Sequence, residues 1–202
     1  MHQQKTMAKI ILITHQKGGV GKSTLTFNLA TNIRDIAKVC IVDFDYQGSL
    51  NNIRELSKIP IFTEEKFNEV LNSDYDFIFI DTPPYLSEKL PKLCDLADVI
   101  IIPSKAGFLD ILAIRSTIQI VEETGNKNKA IVVFNMVKPN TSLTNEVTQQ
   151  LDEYDVRISK TMISDLVAFT RSVLVNGVED SVNAQKQIDN LTKEILTLAV
   201  SK

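Results

Sequence analysis

Five short runs along the chain are continuously apolar rather than alternating: residues 9–14 (KIILIT), 39–43 (VCIVD), 76–81 (DFIFID), 99–103 (VIIIP) and 130–135 (AIVVFN). Such β-branched runs predict strands covered on both faces, because a strand with one wet face alternates apolar and polar residues. Between them the period changes. Leu25, Leu29, Ile33 and Ile36 recur at helical spacing after the first run, and Ile111, Ile114, Ile118 and Val121 do so after the fourth, with Asp110 placed to cap the second helix. Strand and helix in alternation predict an α/β fold: a doubly wound, mostly parallel sheet flanked by helices, since parallel strands need crossovers and the crossovers cover the sheet. Ligands of such sheets lie beyond the carboxyl ends of the strands. The informative polar residues fall there: residues 17–23 after the first run, Asp43 and Asp45 after the second, Asp81 after the third and Asn135 after the fifth.

Composition narrows the setting rather than the fold. A chain of 202 residues suits one domain, expected to span 1–202 with residues 1–8 as a flexible tail. Apolar residues make up 44% and charged residues 23%, an ordinary globular balance without repeats. The apolar runs are far shorter than the ~20 residues a membrane span needs. Residues 1–9 lack the apolar core of a signal peptide, so a cytoplasmic protein is expected. Cys40 and Cys94 have no partner spacing for a metal or disulfide framework and suit the core. The last helical pattern, Ile188, Leu191, Ile195 and Leu198, lacks the aromatic anchors and basic face of a membrane-surface helix; packing onto the sheet is expected, with no membrane partner.

Candidate chemistry concentrates in residues 15–24, HQKGGVGKST. The phosphate-loop spacing G-x-x-x-x-G-K-[ST] asks for glycine at position 16, where the chain has Gln16, and a second lysine, Lys17, precedes the expected Lys22. Gly18, Gly19 and Gly21 free the backbone to wrap a polyphosphate at the start of the following helix. Lys22 would reach the β and γ phosphates and Ser23 would ligate Mg²⁺, with Val20 and Thr24 completing the nucleotide-binding stretch. The arrangement K-G-G-V-G-K-S-T resembles the deviant Walker A box of the ParA/MinD family of dimerising ATPases, P-loop NTPases of the SIMIBI type. The resemblance implies ATP and Mg²⁺ as cofactors and a homodimer with ATP. It also implies that Lys17 crosses to the phosphates held by the partner subunit, as a cationic finger supplied in trans does. The plain alternative is an exposed lysine with no such role.

The acidic residues extend the likeness. Residues 42–50, VDFDYQGSL, resemble the family box D-x-D-P-Q-G: Asp43 would stand near Mg²⁺ through a water, and Asp45 would position the attacking water, giving a catalytic set of Lys17, Lys22 and Asp45. Tyr46 departs from the family's proline and cannot fix φ as proline does. Residues 75–84, YDFIFIDTPP, read as a Walker B strand with Asp81 emerging toward Mg²⁺ through water, followed at Thr82, Pro83 and Pro84 by a second switch. Any buried strand can end in aspartate, so Asp81 gains its meaning from the loop. Asn135 sits where the family often contacts the adenine edge; a strand-end turn residue is the plain alternative.

Residues 161–182 resemble the late segment of small partition ATPases of the ParF type, a strand and loop leading into a helix, so the likeness spans essentially the whole chain. No room is left before the first strand for the helix-turn-helix domain of longer relatives. The family implies nonspecific DNA binding on the nucleoid and a ParB/ParG-like centromere-binding protein that stimulates hydrolysis. Arg157, Lys160, Arg171, Lys186 and Lys193 could contact phosphates, although balanced surface charges are the plain alternative in a chain of net charge −3. Gly107 stands where ParF-type relatives carry a second proline. The expected function is an ATP-dependent dimerising ATPase that partitions plasmid or chromosomal DNA, with positioning of a non-DNA cargo or division component as the alternative and a metabolic P-loop synthetase as a further one. The cysteines do not suit an iron–sulfur relative, and residues 183–202 lack the tyrosine cluster of a bacterial tyrosine kinase.

Overall fold

The computed structural model describes residues 7–45, 50–85, 88–138, 151 and 153–201. Most of the expected tail at 1–8, and the departure at Tyr46, lie outside the described residues. The elements run β1 (Lys9–Ile13), α1 (Lys22–Ile33), β2 (Val39–Asp43), β3 (Ile61–Thr63), α2 (Phe67–Leu71), β4 (Phe77–Asp81), α3 (Leu90–Leu96), β5 (Val99–Ser104), α4 (Phe108–Glu123), β6 (Ala130–Phe134), β7 (Arg157–Ile158), α5 (Val167–Val175) and α6 (Val182–Val200). The strands form one sheet in the order β3-β2-β4-β1-β5-β6-β7, and every pairing is parallel.

Coverage on both faces accounts for the unbroken apolar runs. Ile11 and Ile13 of β1 point into a core shared with Leu25, Leu29 and Ile33 of α1, Phe169 of α5 and Ile188, Leu191 and Ile195 of α6. Ile10 and Leu12 point the other way, toward Leu93 and Cys94 of α3 and Ile114, Ile118 and Val121 of α4. Each fully buried leucine or isoleucine contributes about 1.5–3 kcal/mol, so two layers of helices on one sheet are a large share of the driving force. The α6 stripe packs onto the sheet as its spacing predicts, and Ser181 caps that helix by accepting the Ala184 N–H. Both cysteines are buried and free. No helix among the described residues is long and apolar enough to cross a membrane.

Three expectations need correction. Helix α1 stops at Ile33, and Ile36 lies in the turn beyond it, 81% exposed. Helix α4 starts three residues before Ile111, with Gly107 as its N-cap, so Asp110 is its third residue and caps nothing. Residues 161–166 form no strand; a single bridge, Val137 to Ser164, stands there, while the last strand is the two-residue β7.

Candidate nucleotide site

The register of the central strands brings the site together. Ile13 pairs with Asp81 across β1 and β4, and Asp43 pairs with Asp81 across β2 and β4, so the two carboxylates end neighbouring strands beside the loop that leaves β1. Two backbone positions give that loop its shape. Gly19 has φ 71° and Gly21 has φ 86°, left-handed conformations that side chains resist. At Gly21 space is a second constraint: a Cβ would stand 2.3 Å from Asn135 Nδ2. Gly21 is the N-cap of α1, so the loop's N–H groups meet the positive end of a 12-residue helix. Lys22 opens that helix, and its buried ammonium donates to the Lys17 carbonyl at 3.1 Å. Burial lowers its pKa, with Asp81 and Asp45 opposing the shift, so the lysine would gain from an incoming polyanion.

Lys17 is engaged elsewhere. Its backbone N–H donates to His15 Nδ1 at 2.8 Å, and its ammonium pairs with Asp110 Oδ1 at 2.6 Å. The Lys17 side chain is 39% exposed and that of Asp110 11%. A Cβ at Gly107 would lie 2.6 Å from Asp110 Oδ2, so the glycine that departs from the ParF-type proline gives the Asp110 carboxylate its room. The start of the loop is tied to α4 a second time, where the Gln16 N–H donates to Thr117 Oγ1 at 3.2 Å. His15 is fully buried; burial first, and then the Lys22 charge, push its pKa down to about 4, so it is the neutral imidazole that accepts the Lys17 N–H.

The carboxylates differ in what they hold. Asp43 Oδ1 accepts the Asp45 N–H at 2.9 Å and Asp43 Oδ2 accepts the Asn51 N–H at 3.0 Å, so the side chain gathers both ends of the intervening segment. Burial raises its pKa, and those two hydrogen bonds oppose the rise. Asp45 follows at the rim and lines a small cavity with Asn51, Thr63 and Glu64. Asp81 is fully buried, which pushes its pKa up to about 7. Its Oδ1 accepts from Thr26 Oγ1 at 3.2 Å, Ser23 also hydrogen-bonds to the side chain, and Oδ2 has no partner. An orphaned buried carboxylate oxygen costs about 1–3 kcal/mol. The donor chemistry of Ser23, Asp81 and Asp43 suits a hard cation such as Mg²⁺, which takes few protein ligands and fills its sphere with substrate oxygens and water. Among the described residues no three His, Cys, Asp or Glu side chains converge as a metal site.

Asn135 is buried beneath the loop. Its amide donates to the Val20 carbonyl at 2.9 Å and accepts the Met136 N–H at 3.0 Å, so what it supports here is the loop. Thr82 is buried and donates its hydroxyl to the Ile13 carbonyl at 3.0 Å, joining the end of β4 to the end of β1. The five basic residues do not all line one groove. Arg157, Lys160 and Lys193 line a groove between β7 and α6, whereas Arg171 on α5 and Lys186 on α6 lie outside it. Thr26 and Thr117 escaped the sequence reading because their partners lie 55 and 101 positions away and neither belongs to a motif, and the role of His15 escaped it because burial, which the sequence does not show, makes it the acceptor of the Lys17 N–H.

Comparison with known proteins agrees with this geometry. Residues 11–178 match the family described as the CobQ/CobB/MinD/ParA nucleotide binding domain. The maintenance of carboxysome distribution protein A of Halothiobacillus neapolitanus is 26% identical over 185 residues, covering 83% of this chain and 84% of that protein. The sporulation initiation inhibitor protein Soj of Bacillus subtilis is 25% identical over 203 residues, covering 73% and 80%. Among solved structures, a putative plasmid partition protein of Borrelia burgdorferi bound to AMPPNP superposes with a TM-score of 0.75 at 21% identity, over 94% of this chain and 98% of that one. With strand order, phosphate loop and paired strand-end carboxylates all in place, the chain belongs to the CobQ/CobB/MinD/ParA family of nucleotide-binding domains.

Proposed function

We propose that residues 1–202 form a single ATPase domain that closes into a homodimer on ATP, holds nonspecific DNA in that state, and lets go when a ParB/ParG-like partner stimulates hydrolysis. The observation that carries the reading is the divided use of two lysines. Lys22 lies in the loop against its own backbone, while Lys17 is held on Asp110 of α4 and is 39% exposed, so the second cation can turn to a neighbour's site once that ion pair opens. Tyr85, Leu109 and Leu112 are exposed on the segments flanking that pair, 77%, 72% and 55% respectively, and would be covered by a second copy. In the cycle the loop N–H groups and Lys22 bind the phosphates, Ser23 would hold the cation with Asp43 and Asp81 acting through water, and Asp45 orients the attacking water. Mg²⁺ supplies neutralisation of the phosphate charge when bound. Lys17 from the partner offsets the charge that builds as the bond to the leaving phosphate breaks. Asn135 lies beneath the loop where the base edge could also reach it. Such a protein would be cytoplasmic and nucleoid-associated, with Arg171 and Lys186 among its DNA contacts.

A second reading keeps the ATPase and replaces the DNA cargo with another body to be positioned; the relative that maintains carboxysome distribution favours it. Two measurements test these readings. Molecular mass with ADP and with a slowly hydrolysed ATP analogue should change from monomer to dimer, and Lys17→Ala should abolish stimulated hydrolysis while nucleotide still binds. A monomer at saturating analogue would sink both readings. ATP-dependent retention of duplex DNA at low salt supports the first, and a dimer with no retention supports the second.

A further inference from the structure

One feature unused by the nucleotide site is the groove between β7 and α6, with a volume of about 390 Å³. Arg157, Lys160 and Lys193 stand around it, and among the described residues none of their side chains has an ion-pair partner. One carboxylate, Glu194, shares the wall, but both of its oxygens are occupied: Oε2 accepts from Ser159 Oγ and the Lys160 N–H, and Oε1 accepts from the Thr161 hydroxyl. Glu194 therefore holds the 159–161 turn in place and forms no ion pair with the three cations, so the groove keeps an excess of positive charge, three cations against one carboxylate. The floor is apolar, formed by Leu198 and by Ile131 of β6. A concentrated positive charge over an apolar floor is out of keeping with a chain whose net charge is −3.

We propose that this groove docks an acidic peptide segment of a protein partner, which seats an apolar side chain on Leu198 and sets its carboxylates against Arg157, Lys160 and Lys193. Two observations favour a peptide over nucleic acid. Phosphate contacts along a duplex draw on charge alone and gain nothing from an apolar floor, and Glu194 interrupts the cationic track. No aromatic side chain lines the groove, so single-stranded bases find no stacking platform. A peptide supplies what both surfaces ask for, an apolar anchor within a rim of carboxylates. The inference is independent of the nucleotide cycle, because none of these residues touches the phosphate loop.

The test is fluorescence anisotropy with a labelled peptide of glutamates around a central leucine, and with the same peptide carrying glycine in place of leucine. Arg157→Gln, Lys193→Gln and Leu198→Asp should each weaken the leucine peptide about tenfold. Lys186→Gln, outside the groove, should leave it unchanged, and binding of a fluorescent ADP should be the same in all four variants. The glycine peptide should bind wild type more weakly than the leucine peptide and lose that difference on Leu198→Asp. Equal binding of the two peptides to wild type, or equal binding to wild type and the groove variants, overturns the proposal. So does a loss of duplex DNA retention in the groove variants that matches their loss of peptide, since the groove would then accept polyanions at large. Absence of ATP-dependent dimerisation would bear on the proposed ATPase cycle and leave these outcomes intact.

Discussion

The ion pair between Lys17 and Asp110 sets a toll on dimerisation that can be measured. For Lys17 to enter a partner's site it must leave a 2.6 Å contact with a carboxylate whose side chain is 11% exposed, while the lysine itself is 39% exposed. A fully exposed pair contributes about 0.2–1 kcal/mol, and breaking a buried one costs about 3–5 kcal/mol. Solvent around Lys17 places this pair near the lower range, at about 1 kcal/mol. Two such pairs break when two subunits close, so Asp110→Asn should favour the dimer by about 2 kcal/mol, which is roughly a thirtyfold tighter dimer constant. Sedimentation with a slowly hydrolysed ATP analogue reads that constant directly. In Lys17→Ala the same Asp110→Asn change should bring no gain, because the double-mutant cycle isolates the pair. A loss of monomer stability of about 1.5 kcal/mol should accompany Asp110→Asn, about 1 from the lost ion pair and about 0.5 because an acidic residue leaves the first turn of α4. An unchanged or weakened dimer constant would refute the reasoning and make Asp110 a component of the closed interface.

Other consequences can be read at single positions. Because His15 is buried neutral with its pKa pushed down to about 4 from 6.5, the unfolded chain takes up its proton first. Stability tied to His15 is therefore present above pH 6.5 and lost as pH falls toward 4, about 2 kcal/mol between pH 7 and pH 5. Urea unfolding at those two pH values should show that loss shrink in His15→Asn, while Asp43 and Asp81, whose raised pKa values act in the opposite sense, contribute equally to both proteins; identical losses would contradict the assignment. Gly21→Ala should destabilise by about 3 kcal/mol, combining a left-handed φ with the approach to Asn135, and should weaken ADP binding; a wild-type Tm would show that the loop relaxes freely. Asp45→Ala should slow turnover about a hundredfold and leave an ATP-bound dimer in sedimentation, and wild-type turnover would remove Asp45 from the water-positioning role.

How much of this was legible in the sequence follows from where each signal is stored. The five central strands announced themselves because two layers of helices strip their polar positions, whereas β3 and β7, three and two residues long, are too short to carry a period. The phosphate loop and the strand-end aspartates were legible because their spacing is local and parallel register then brings them together. Asp110 was misread as a cap because the apolar stripe beginning at Ile111 concealed a helix start at Phe108. Its contact with Lys17 spans 93 positions and belongs to packing alone. The five basic residues read as a single set divide between a groove and open surface, a distinction that only tertiary structure makes.

Asp43 receives N–H groups from Asp45 and from Asn51, closing the chain between them into a ring through a side chain. Surface connections ordinarily accept extra residues at little cost, since lengthening a loop adds only fractions of a kcal/mol. Here both ends of the connection hang on one carboxylate. Losing that single side chain, as in Asp43→Ala, would free the Asp45 and Asn51 ends together, so the two should lose protection from hydrogen exchange in step rather than one at a time.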